Sequence, residues 1–109
     1  MAIDYFGHCR EDAEQAAKRI ARARAEHPEW FDVVLLLYDA RPFKYRFEAE
    51  ISREFGIEAK SCFMLSVNDK KRFSDCLDDA LDYLYRLFGS GNLVVTHGMD
   101  KIRPPPQAI

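Results

Sequence analysis

The apolar positions of this chain fall into blocks whose spacing differs from one to the next. The most uniform is Phe31-Asp32-Val33-Val34-Leu35-Leu36-Leu37-Tyr38. It is too short for a buried helix, contains two β-branched valines and is bracketed by Pro28 and Pro42, so it reads as a central strand covered on both faces. Upstream, over residues 10–26, Ala13, Ala16, Ala17, Ile20 and Ala23 recur at helical spacing. Glu11, Asp12 and Glu14 stand near the start of that stretch and Arg19, Arg22 and Arg24 near its end, the order a helix dipole favours.

Residues 44–52 carry two patterns at once. Tyr45, Phe47, Ala49 and Ile51 alternate with Lys44, Arg46, Glu48 and Glu50, as in a strand with one wet face. Phe43, Phe47, Ile51 and Phe55 have helical spacing instead, but a helix would put Tyr45 and Ala49 on the opposite side. The strand is the favoured reading, with Arg53-Glu54-Phe55-Gly56 as its return turn. Residues 57–67 follow as a third strand. Residues 69–88 form the second helix, with Asn68-Asp69 as N-caps, a stripe of Phe73, Leu77, Ala80, Leu81, Leu84 and Leu87, and Gly89-Ser90-Gly91 as its stop. A short strand over residues 93–96 leads to His97.

This order, α-β-β-β-α-β, predicts an α+β protein: a two-layer α/β sandwich with a mixed four-stranded sheet and two helices on one face. Residues 1–98 make one domain, and residues 99–109, with Pro104-Pro105-Pro106, an extended Pro-rich tail. The uncovered sheet face would be partly apolar, which predicts a homodimer packed sheet to sheet. If residues 43–55 are helical, a three-layer β-α-β-α-β arrangement replaces it, and the reason for a dimer weakens.

Composition narrows the class of partner. A formal net charge of −2 removes the field that would draw the chain to nucleic acid or an anionic membrane, and no apolar run is long enough to span one. An odd count of three cysteines without short pairing predicts free thiols and a cytoplasmic protein. Spacings that mark zinc sites are missing, so neither a metal nor a cofactor is expected.

Two motif matches fail on physical grounds. Glu58-Ala59-Lys60 after Asp39 resembles the Asp…Glu-x-Lys signature of PD-(D/E)xK nucleases, but the predicted strands hold the parts on the order of 20 Å apart. Asp78-Asp79-Ala80-Leu81-Asp82 matches the DDxxD of prenyl-diphosphate enzymes, whose large helical cavity a chain of 109 residues cannot build.

Two candidate sites remain. Asp75, Asp78, Asp79 and Asp82 fall on one helical face with no adjacent lysine, an acidic surface suited to a protein partner. The predicted topology also gathers His8, Asp39, Asn68, Lys70 and His97 at one end of the sheet, where strand ends and a helix N-terminus could hold a small anionic ligand. The resulting expectation is a small cytosolic binding domain, homodimeric, taking a protein partner or small ligand. The alternative is a small-molecule enzyme using His97 and Asp39.

Overall fold

In a computed structural model, residues 4–42, 50, 53–54, 56–89, 91–97 and 101–103 are described. Within them run β1 (Asp4–Cys9), α1 (Ala13–Glu26), β2 (Leu35–Leu37), β3 (Arg41–Pro42), β4 (Ser61–Val67), α2 (Phe73–Phe88), β5 (Leu93–His97) and β6 (Lys101–Arg103). The two-layer α+β architecture expected from the sequence is the one observed.

The sheet is ordered β2-β4-β1-β5-β6, with β3 also pairing β4, and every pairing between named strands is antiparallel rather than mixed. Its centre is β1, a stretch for which the hydrophobic pattern predicts no strand. Because β1 is antiparallel to both β4 and β5, those two run in the same direction with β1 between them, and α2 joins them. The same logic places β4 between β1 and β2, joined by α1. Two interlocked split β-α-β units result, the β-α-β-β-α-β plan of ferredoxin-like folds.

Of the run over residues 31–38, only Leu35–Leu37 is strand, and β2 borders β4 at one side of the sheet rather than at its centre. Phe31 and Val34 are nevertheless buried, reaching the core from a turn. That turn closes through Asp32, whose φ of 67° lies in a left-handed region that aspartate tolerates better than most residues. The predicted strand over residues 44–52 lies outside the described residues except for Glu50, which is helical, as are Arg53 and Glu54. Gly56 does adopt the positive φ suggested for it, 88°.

α1 starts where Asp12 accepts the Gln15 N–H at 2.9 Å, and it buries Ala16, Ile20 and Ala23. α2 buries Leu77, Ala80, Leu81, Leu84, Tyr85 and Phe88. Both stripes meet Tyr5, Cys9, Phe63, Leu65, Leu93 and Val95 in one core. The buried Tyr85 hydroxyl accepts the Val95 N–H at 2.8 Å, which ties α2 to β5.

The other sheet face is not open. His8, Cys62, Val94 and Thr96 are 5, 4, 6 and 0% exposed, so the chain buries this face itself. The apolar surface that called for a homodimer is thereby removed. Residues 101–103, read from sequence as part of the tail, pair with β5, and Pro104-Pro105-Pro106 lies outside the described residues.

Candidate functional site

The end of α1 and the turn after it carry a cluster of rings. The α1 cap His27 sends its N–H to the Ala23 carbonyl, and Pro28 prevents another helical turn. The chain then folds back so that Trp30 stacks on His27, with centroids 4.1 Å apart and planes 5° apart. Tyr83 of α2 meets the same imidazole edge-on at 4.3 Å. Carboxylates fringe these rings. Glu29 lies 2.7 Å from His27 Nδ1, and that hydrogen bond holds its carboxyl below the usual range. Glu26 is also lowered, first by the hydrogen bond from Arg22. Glu26 in turn accepts the Tyr83 hydroxyl at 3.1 Å. Burial, and then that bond, push the Tyr83 phenol up to about 12.

A single guanidinium holds the turn to β2. Arg24 Nε lies 2.9 Å from the Asp32 carboxylate and Nη1 lies 3.0 Å from Asp39, while Nη2 donates to the Leu37 carbonyl. The Asp32 carboxylate also accepts the Leu37 N–H at 3.2 Å. Asn68 donates its side-chain amide to the Val33 carbonyl at 2.8 Å, which fixes the turn from the β4 side.

Asp75, Asp78 and Asp79 are exposed and Asp82 is half-buried, on the face of α2 opposite its buried stripe. Since Tyr83 follows Asp79 by one helical turn, the acidic face runs into the ring cluster.

Of the residues expected to share one sheet end, Asn68 and His97 do lie at the same end, where the parallel strands β4 and β5 finish, whereas Asp39 and His8 lie toward the opposite end. β2 is antiparallel to β4, so Asp39 does not sit at the end of β4, and its carboxylate is engaged with Arg24. His97 ends β5, three strand spacings from β2 or on the order of 14 Å. There it stacks on Tyr5, centroids 4.7 Å apart, on the helix side of the sheet. His8 is the penultimate residue of β1, opposite Cys62 and Val94, on the other face. Lys70 lies in an exposed turn before α2. In the same turn the Asp69 carboxylate accepts the Lys71 and Arg72 N–H groups at 3.0 and 3.2 Å, so those donors are already used. Glu58 and Lys60 line a cavity of about 370 Å³ with Arg10, Arg53 and Ala59, and Asp39 is not among its lining residues.

What the geometry assembles is a surface of aromatic rings rimmed by carboxylates, the composition of a protein-docking surface. The CDI System Immunity Component family matches residues 1–101, and the chain belongs to that family. It is 34% identical over 70 residues to the immunity protein CdiI-2 of Burkholderia pseudomallei strain 1026b, covering 64% of this chain and 68% of that protein. It is also similar to a chain of the CdiA-CT/CdiI toxin and immunity complex from Burkholderia pseudomallei, at 26% identity and a TM-score of 0.86. That match covers 95% of this chain and 99% of the other.

These findings overturn the expectation of a homodimer of unknown process, and its alternative of an enzyme built on His97 and Asp39. Membership of an immunity family supplies the process and points to a protein partner rather than a second copy. The acidic stripe was visible from its spacing. The ring cluster was not, although Trp30, the only tryptophan, beside His27 and Pro28 in a polar connection was a signal.

Proposed function

We propose that this chain binds the CdiA-CT toxin of its own CDI system in the cytoplasm and neutralises it by remaining bound. The observation that carries this reading is the likeness, over 95% of the chain at a TM-score of 0.86, to a protein solved in a toxin and immunity complex. Neutralisation by occupancy requires affinity and a preformed surface, not turnover. The surface proposed for first contact is the acidic face of α2, with Asp75, Asp78, Asp79 and Asp82 steering a basic region of the toxin.

The test is protection. Cells that induce the cognate CdiA-CT domain should grow when this chain is co-expressed and stop growing without it. In purified form, the double reversal Asp75→Lys with Asp79→Lys should slow association about tenfold or more at low salt, with the gap narrowing as salt is raised. Continued growth arrest in the presence of the folded chain would refute the function. Unchanged association of the reversed variant would refute the surface alone.

A further inference from the structure

The large apolar side chains most exposed among the described residues are Val33 and Tyr38, at 47 and 45%, and both flank β2. Single apolar residues on a surface need no explanation. These two are tied together. Asp32 precedes Val33 and Asp39 follows Tyr38, and both carboxylates grip Arg24. The Val33 carbonyl is held by Asn68, the Tyr38 N–H donates to the Met64 carbonyl at 3.0 Å, and the left-handed Asp32 sets the turn between Trp30 and Leu35. The side chains therefore stand on backbone that is already fixed, so less ordering cost remains to be met on binding.

We propose that Val33 and Tyr38 are the anchors that retain the cognate CdiA-CT toxin, each packing against an apolar spot of the toxin bordered by lysine or arginine. This deepens, and rests on, the toxin-binding function proposed above. Charge selects the occupant. Asp32 and Asp39 adjoin the two anchors with side chains 49 and 78% exposed and share one guanidinium, Arg24, so a net negative charge remains beside them. Glu29 and the acidic face of α2 border the ring cluster of His27, Trp30 and Tyr83. A second copy of this chain would bring carboxylates against carboxylates, and a nucleic acid would bring phosphates. A basic protein surface is what complements them. The anchors and the charges then act on different rates: desolvated apolar contacts set dissociation, whereas rim carboxylates set association.

The experiment is biolayer interferometry on immobilised, catalytically inactivated CdiA-CT from the same CDI system. Val33→Ser and Tyr38→Ala should each raise the dissociation rate about tenfold while association stays within about twofold, and Tyr38→Phe should resemble the wild type. Melting curves check folding. Should Val33→Ser melt early, Val33→Thr replaces it, keeping the shape while exchanging a methyl for a hydroxyl, and should still speed dissociation severalfold. The proposal is overturned if the wild type binds and the variants dissociate within about twofold of it, or if only association changes. Absence of any wild-type binding would instead sink the function itself, and this inference with it.

Discussion

Gly7 lies directly beneath the ring of Phe63. The two are register partners in β1 and β4, and a Cβ built on Gly7 would stand 2.3 Å from Phe63 Cζ. The Phe63 ring fills the space that a side chain would take and stacks in turn on Phe88 of α2, centroids 5.5 Å apart. One missing methyl at the centre of the sheet thus lets β4 and α2 close over β1.

Gly7→Ala should destabilise the fold by about 1–3 kcal/mol, the range for forcing a group into a packed core. Urea denaturation gives the value. A second substitution, Phe63→Leu, should be less costly in the Gly7→Ala background than alone, because the shorter side chain vacates the contested space. Additive effects would show that ring and glycine are not coupled.

The same glycine explains why β1 is hard to read from sequence. Its core-facing positions are Tyr5, Gly7 and Cys9, a weak apolar alternation, while its other face carries Phe6 and His8. The most central strand is therefore one of the least hydrophobic. Conversely, the greasiest run, over residues 31–38, divides between a turn and a three-residue strand, because Phe31 and Val34 are buried without strand pairing of the ladder kind. The helices were legible because their stripes are local, and so was the acidic face of α2. The contact of His27 and Trp30 with Tyr83 joins distant parts of the chain, and periodicity carries no information about it.

Tyr83 should make stability fall at high pH. Its phenol is held up to about 12 from an ordinary 10.0, first by burial and then by the hydrogen bond to Glu26. Below the unfolded value the contribution is fully present. Between pH 10 and about 12 the unfolded chain gives up this proton while the folded chain keeps it, so stability drops as pH rises through that window. Tyr83→Phe should flatten that part of the stability profile and remove one late step from the phenolate absorbance titration. An unchanged titration would show that Tyr83 is not the late group.

The three thiols should separate by access. Cys9 and Cys62 are buried and Cys76 is half-buried. Burial raises the Cys9 thiol above its ordinary range, and burial is also the largest influence raising Cys76. A maleimide at mildly alkaline pH should label Cys76 slowly in the folded protein and the other two only after unfolding, as read by peptide mass spectrometry. Rapid native labelling of Cys9 would contradict its place under α1 and α2.

Arg24 and Arg22 sit on the same helix and both pair with carboxylates, yet their removal should differ. Arg22 is 67% exposed in its side chain and meets one partner, Glu26, one turn away; such pairs contribute at most about 0.5 kcal/mol. Arg24 is 34% exposed and joins Asp32, Asp39 and the Leu37 carbonyl, so its loss releases both the turn and the strand that follows. Adding one backbone hydrogen bond to two partly exposed ion pairs gives about 1–2 kcal/mol for Arg24→Met. For a domain of this size that lowers the melting temperature by about 5 °C or more, against little change for Arg22→Ala. Part of the Arg24 effect should vanish in 1 M salt, where the Debye length falls to about 3 Å, while the share owed to the Leu37 carbonyl remains. Equal melting temperatures for the two variants would mean that the turn holds its shape without the guanidinium, and the fixed backbone beneath Val33 and Tyr38 would need another source.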